Sequence, residues 1–334
     1  MAQTTKLKDK TSLGLDIGSS LIKFIKIKSS KDGFELNSFG IEPSGLDLVP
    51  ALKKISQSQG SSRANISLSA PQAIIRYVNF PRMQPSELKQ ALKFEAQKHI
   101  PFSVSDVNLD TVILKNDLPD NKMLILLAAA KKDFVKQRVK FLEDSGMSAD
   151  IIDVDSLALL NAFEFNYGDD ENIKSKTVAL LNIGAAQSNI SVLEKGMPRL
   201  SRDINIAGNS FTQKISDVFS VDFKTAENIK LNLEKDKLEK ISVAVENVLS
   251  NLATEIRVSF DYYESQGLAS VSKIFISGGA STFPGLKDML KNLLDIEVDY
   301  WDPFKNIKLS VNVDAQKLKT VSSQFAVAVG LALR

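Results

Sequence analysis

Residues 11–41 and 177–206 repeat one layout. In each, a short apolar strand enters a glycine-containing turn, a second strand follows, and another turn leads to a third. The first copy has Leu13 to Gly18 as the apolar strand. Leu21 to Lys28 then alternates, with Ile22 and Phe24 on one face and Lys23, Lys26 and Lys28 on the other, and Phe34 to Ile41 closes the unit. The second has Thr177 to Ile183, the turn Gly184-Ala185-Ala186, Asn189 to Glu194, the hairpin turn Lys195-Gly196-Met197-Pro198 and a return over Arg199 to Ile206. Period-two alternation marks half-buried strands. Three strands joined by tight turns form a meander, which is not the strand–helix unit that opens a Rossmann fold. A chain of 334 residues exceeds one ordinary core, so the repeat predicts two α/β lobes, each built on one meander.

The remaining pattern fills in those lobes. Helices are predicted over 46–59, 84–99, 132–145, 156–165, 209–219, 223–238, 241–266, 283–293 and 322–333. Further strands are predicted over 65–70, 109–115, 123–130, 151–154 and 273–277. Val298 is expected to enter an exposed loop through Trp301, Pro303 and Phe304, and the polar stretch Asn166 to Lys176 to separate the lobes.

Composition removes several kinds of chemistry. The chain has no cysteine, so disulfides and thiolate metal sites are out of reach, and its single histidine, His99, cannot form a zinc cluster. A formal charge of +2 supplies no concentrated basic field, so nucleic acid is not expected as a partner. The lysine-rich stretch Lys6 to Lys10 reads as a solvated arm. The N-terminus lacks the apolar core of a signal peptide, and the longest apolar run, Met123 to Ala130, suits a buried strand rather than a bilayer span. These features predict a cytoplasmic protein, one still able to dock on a membrane protein.

The turns carry the functional signal. A loop that closes on a phosphate needs inward amides and no obstructing Cβ, which favours glycine and small hydroxyl residues. Asp16-Ile17-Gly18-Ser19-Ser20 meets that need, and Asp16 at the strand end can hold the water shell of Mg²⁺. Alone, the stretch reads rather as an ordinary turn with a solvated carboxylate. Asn182-Ile183-Gly184-Ala185-Ala186-Gln187-Ser188 is its equivalent in the second repeat. Two such turns facing one another would grip a polyphosphate from both sides. A third glycine turn, Ile276-Ser277-Gly278-Gly279-Ala280-Ser281, ends a strand and opens a helix, where a flat base could lie against bare backbone.

Taken together these segments resemble the actin-like ATPase class, and within it the PilM family of type IV pilus assembly, related to FtsA. Leu13–Ile27 resembles the first phosphate motif, Val178–Ser188 the second and Ile274–Leu286 the adenosine motif. Asp153–Leu159 and Phe325–Leu331 resemble the connecting segments, the latter with small residues that let two hinge helices approach. More selective are Ile75–Met83, Glu87–Ala91 and Glu95–Phe102, which look like the PilM version of a small subdomain inserted in the first lobe.

The resemblance implies an actin-like, ribonuclease H-like duplicated fold with a small inserted α+β subdomain. The first-lobe core would be 11–70 with 146–176 and the helix 321–334, and the insert 71–145. The second lobe would be 177–320, with its meander at 177–206, a helical part at 209–266 and the adenosine part at 270–320. It implies ATP or ADP with Mg²⁺ as ligands. Asp16, Gly18, Ser19 and Ser20 would serve phosphate and metal, and Asn182, Gly184, Ala185 and Ser188 would face them from the other lobe. Gly208, Gly278, Gly279 and Ala280 would line the nucleoside, and Glu227 with Lys230 would reach ribose and adenine; by themselves these two read as a solvated helix pair.

Asn182 stands where relatives usually carry Asp, so nucleotide binding with weak or absent hydrolysis is expected. Asp155 is the candidate to polarise a water and Asp153 the second, and either equally reads as a helix cap. The implied partner is the cytoplasmic tail of a PilN-like inner-membrane protein, held in a groove with Ile75, Tyr77, Phe80 and Phe102, residues that read individually as insert core. Pilus assembly ATPases and self-association into a ring or filament are further expected contacts. Localisation would be cytoplasmic, peripheral to the inner membrane. An FtsA-like filament former and a small-molecule kinase on the same architecture are the alternatives. The chain ends after the 322–333 helix without an amphipathic extension, which argues against FtsA.

Overall fold

The structure, a computed structural model, describes residues 10–232 and 235–334. The lysine-rich stretch therefore lies outside the described residues except for Lys10, which opens the first strand. The first part of the chain runs β1 (Lys10–Ile17), β2 (Leu21–Ser30), β3 (Gly33–Pro43), α1 (Val49–Gln59), β4 (Arg63–Leu68), β5 (Ala73–Pro81), α2 (Pro85–Glu95), β6 (Val107–Leu118) and β7 (Lys122–Lys131). It continues with α3 (Lys132–Asp144), β8 (Ser148–Val154), α4 (Asp155–Tyr167), α5 (Glu171–Lys174), β9 (Thr177–Ile183), β10 (Ser188–Glu194), β11 (Met197–Ile204), α6 (Gly208–Phe219) and α7 (Phe223–Leu231). The last part is α8 (Lys235–Glu264), β12 (Lys273–Ser277), α9 (Leu286–Leu294), β13 (Glu297–Tyr300), β14 (Lys308–Leu309), α10 (Ala315–Val321) and α11 (Ala326–Ala332).

The duplication is visible in strand order. One sheet runs β14-β3-β2-β1-β4-β8 and another β11-β10-β9-β12-β13. Apart from the short edge strand β14, the two orders are the same. In each, an antiparallel meander is extended by two parallel strands. The two glycine turns therefore occupy equivalent sheet positions, each at the C-terminal end of the strand where the meander meets the parallel half.

Helices α4 and α11 lie between the sheets. Their Ala158, Leu159, Phe163, Ala328 and Leu331 share one buried cluster with Ile25 and Ile27 of the first sheet and Val178, Leu180 and Phe275 of the second. The outer face of the first sheet carries α1 and α3, which bury Leu52, Ile55 and Leu142 against it. The outer face of the second carries α6, α8 and α9. The strands of the insert form a separate sheet, β5-β7-β6, with its own core under α2. Against the expected insert bounds of 71–145, Phe141 and Leu142 of α3 pack into the first-lobe core.

Four sequence expectations change on folding. The alternation in β2 put Lys23 toward solvent, yet its side chain is largely buried because helices cover both faces of the first sheet. Trp301, Pro303 and Phe304 do not form an exposed loop; they are buried, Trp301 and Phe304 against the cluster around α4 and α11. The helix expected over 223–238 ends at Leu231, and the next begins at Lys235. The adenosine segment enters a short 3₁₀ turn, Gly279–Thr282, before α9 begins at Leu286.

Candidate functional site

A cavity of about 740 Å³ lies at the base of the insert, and a second, of about 570 Å³, lies between the lobes. The interlobe cavity is lined by Asp16, Gly18, Ser19 and Ser20 from one lobe and by Asn182, Gly184, Ala185 and Gly279 from the other. With Asp155, which also lines it, nine of the sequence-predicted residues are thus brought to one site, the two turns facing across it.

Each turn closes in the same way and is held by the segment after its meander. Gly18 N–H donates to the Leu21 carbonyl at 3.1 Å, and Gly184 N–H to the Gln187 carbonyl at 3.0 Å. A Cβ at either glycine would sit 2.8 Å from that same carbonyl oxygen, which is closer than side-chain contacts tolerate. After β3, Ser44 donates from its N–H to Ser20 O at 3.0 Å and from its hydroxyl to Gly18 O at 2.7 Å. After β11, the N–H groups of Gly208 and Asn209 donate to Gly184 O and Ala185 O at 3.0 and 2.7 Å. Ser44 was not singled out in the sequence; its place one residue past the third strand was the available signal.

Gly208, Glu227 and Lys230 gather beside the cavity without lining it. Lys230 Nζ lies 2.7 Å from Glu227 and from Thr212 Oγ1, and 3.3 Å from Gly208 O. This is no solvated pair: the network ties α7 to the N-terminus of α6. Gly278, at φ +96°, leaves room for Ile183 O, which a Cβ would approach to 2.4 Å. Its N–H donates to Ser323 O, and Ala280 follows in the 3₁₀ turn against Gly208. Ser188 differs from expectation. It is buried, its hydroxyl donates to Ile206 O at 2.6 Å, and it braces the second turn from beneath instead of facing the cavity.

Among the described residues four ionisable side chains line the cavity: Asp16, Lys23, Arg138 and Asp155. Lys23 Nζ lies 2.5 Å from Asp16 Oδ2 across the antiparallel pair β1–β2. Arg138, from α3, stacks 5.0 Å from the Phe134 ring, and its Nε and Nη1 are shielded from solvent without an acceptor. Burial pushes the Asp155 carboxyl up to about 7, and the Asp16 charge adds to the rise. Asp155 opens α4 without a side-chain capping bond. Asp153, the second candidate, is engaged by Arg334, whose Nε lies 2.7 Å from its carboxylate. Lys23 and Arg138 escaped the sequence reading because one looked like a solvated strand lysine and the other sits far along the chain, on α3.

The donor set suits a nucleotide. Two turns that each close on a glycine, a lysine and an arginine face one cavity, and Mg²⁺ characteristically keeps several waters while taking few carboxylates. Among the described residues no group of three or more His, Cys, Asp or Glu is placed to hold a metal, so such an ion would depend on phosphate oxygens, water and Asp16.

The four residues proposed for a groove separate. Phe80 is buried in the insert core. Ile75 is buried facing a narrow gap toward Ser188, Asn189 and Asp203 of the second lobe. The Tyr77 hydroxyl is buried without a partner, and burial raises its pKa. Phe102 is half-buried, 5.0 Å from Lys131 Nζ, and lines the 740 Å³ cavity with Gln72, Asp133, Phe134 and Gln137.

A duplicated sheet with paired glycine turns at an interlobe cleft defines a protein of the actin-like ATPase fold. The sequence matches the family described as type IV pilus assembly protein PilM over residues 14–334, and the chain belongs to that family. It superposes with a TM-score of 0.86 on a chain of a PilM-PilN type IV pilus biogenesis complex, at 25% identity, covering 98% of this chain and 99% of that one. The ethanolamine utilization protein EutJ from Carboxydothermus hydrogenoformans shares the fold at 13% identity and a TM-score of 0.55, over 98% of this chain and 91% of that one. The chaperone protein dnaK of Cyanophora paradoxa is 27% identical over 154 residues, 42% of this chain and 24% of that protein. The match therefore spans about a quarter of that curated relative. Among the described residues no helix is long and apolar enough to cross a membrane.

Proposed function

We propose that this PilM-family protein is an ATP-binding scaffold of type IV pilus assembly, loaded with ATP or ADP and Mg²⁺ in the interlobe cleft. The observation that carries the reading is the convergence of residues 18–20 and 184–186, from duplicated hairpins, on one cavity with Lys23 and Arg138. In this reading Asp16, Gly18, Ser19, Ser20, Gly184 and Ala185 hold phosphate and metal. Gly208, Gly278, Gly279 and Ala280 form the nucleoside end, steadied by Glu227 and Lys230. Asn182 in place of a carboxylate leaves hydrolysis weak or absent. The partner is the cytoplasmic tail of a PilN-like membrane protein, in keeping with the complex its structural relative forms, and Phe102 at the insert cavity is the contact residue of choice. Such a partner would hold the protein at the inner membrane. Lobe closure on nucleotide would bias tail binding by differential affinity for two states.

The test is thermal unfolding with and without ligand. A ligand that binds only the folded state stabilises it by mass action, by about 2.7 kcal/mol at a hundredfold excess over Kd. Millimolar ATP with Mg²⁺ therefore raises Tm by several degrees. No shift would overturn the nucleotide reading.

A further inference from the structure

We propose that Arg138 binds the terminal phosphate of a nucleoside triphosphate and makes the cleft discriminate triphosphate from diphosphate. The inference rests on the nucleotide reading above and adds a residue and a selectivity to it.

Among the described residues Arg138 is the cation in the cleft whose chemistry is incomplete. Of the two cations lining the cavity, Lys23 is already paired with Asp16 at 2.5 Å. Two of the Arg138 nitrogens are shielded from water and meet no hydrogen-bond acceptor, while the ring of Phe134 fixes one face of the guanidinium. Sheltering a charge costs free energy unless it is paired. The neighbouring carboxylates act on it only at longer range, with Asp155 the stronger and Asp16 the weaker. Nη2, the guanidinium nitrogen that is not shielded, is the donor a phosphate in the cavity can reach, and a charge-assisted bond from it is stronger than a neutral one.

Position selects the terminal phosphate. Gly208, Gly278 and Ala280, with Glu227 and Lys230 behind them, cluster at one end of the site. Arg138 lines the cavity with Asp155 and the 69–72 segment, whereas Gly208, Gly278 and Ala280 do not line it. A nucleotide with its base at the glycine cluster and its first phosphates between the two turns directs its last phosphate toward Arg138.

The contact also bears on the second cavity. Phe134 and Gln72 line both cavities, and Asp133 and Gln137 on the same turns of α3 line the one at the insert. One helix wall is thus shared by the phosphate end of the cleft and the insert cavity.

The experiment measures Mg²⁺-ATP and Mg²⁺-ADP affinity by calorimetry on the full chain, as wild type, R138Q and R138K. The wild type should bind ATP more tightly than ADP. R138Q should weaken ATP by about tenfold, as loss of a charge-assisted contact implies, and leave ADP within about twofold; R138K should fall between. Because Arg138 Nε and Nη1 make no hydrogen bond to any described residue, ligand-free R138Q should melt at or above the wild-type temperature. Equal losses for ATP and ADP, unchanged ATP affinity, or a destabilised ligand-free R138Q would each overturn the assignment while sparing the nucleotide reading. A wild type that binds neither nucleotide would sink both.

Discussion

Gly330 on α11 lies so close to Ala158 on α4 that a Cβ added to it would stand 1.7 Å from the Ala158 carbonyl oxygen. Asn161 fixes the same crossing by donating to Gly330 O at 2.8 Å. On the other side of α11, a Cβ at Gly14 of β1 would stand 2.3 Å from Ala328 O. The central helix pair and the first sheet thus meet backbone to backbone. Gly330→Ala must force α4 and α11 apart, and overpacking of this kind costs about 1–3 kcal/mol. Urea denaturation should show the midpoint falling accordingly, and a variant with wild-type stability would contradict the packing.

Asp155 makes stability pH-dependent. Its folded pKa, about 7, lies above the ordinary 3.8 because burial and the Asp16 charge both oppose ionisation. From roughly pH 4 to 7 the folded chain keeps a proton that the unfolded chain releases, so this group's contribution to stability falls as pH rises through that window. Asp155→Asn should raise Tm at pH 8, with a gain of about 2 kcal/mol once the carboxyl's contact with the hydrated cleft is allowed for. At pH 4 the two proteins should melt alike. A gain independent of pH would assign the effect to something other than ionisation.

Asn182 accepts a hydrogen bond from the Ser277 hydroxyl at 3.3 Å and lines the cleft. A carboxylate in its place can accept the same bond while adding charge near Mg²⁺ and its water. Asn182→Asp should therefore raise Mg²⁺-dependent phosphate release by about tenfold. A continuous phosphate assay that finds the rate unchanged would show that the missing carboxylate is not what limits hydrolysis.

Phe80 and Phe102 should separate stability from recognition. Phe80→Ala removes a fully packed ring from the insert core and should cost about 3–5 kcal/mol. Phe102→Ala should cost about 1 kcal/mol and weaken a PilN-like tail peptide by about tenfold or more, read by fluorescence anisotropy. Equal peptide affinity in Phe102→Ala and wild type would remove Phe102 from the partner site.

The glycine turns were legible because their conformational demands are local: Gly278 at φ +96° needs glycine whatever packs around it. The meanders were legible for the same reason, since alternation and tight turns are properties of adjacent residues. Ser188 was misplaced, because its position beside the turn said nothing about which way its hydroxyl points; the Ile206 carbonyl decided that. Trp301 and Phe304 were misread as a loop surface because the cluster that covers them draws on α4 and α11, distant in the chain.

By itself the sequence determined the duplicated α/β architecture and the location of the paired turns, because strand period, turn chemistry and absent Cβ atoms act over a few residues. Only the tertiary structure decided which charges share the cleft: Lys23 reaches Asp16 across a strand pair, and Arg138 arrives on α3 from more than a hundred residues away. Pairing, burial and raised pKa depend on what the folded chain brings within a few ångströms, and no local pattern encodes that.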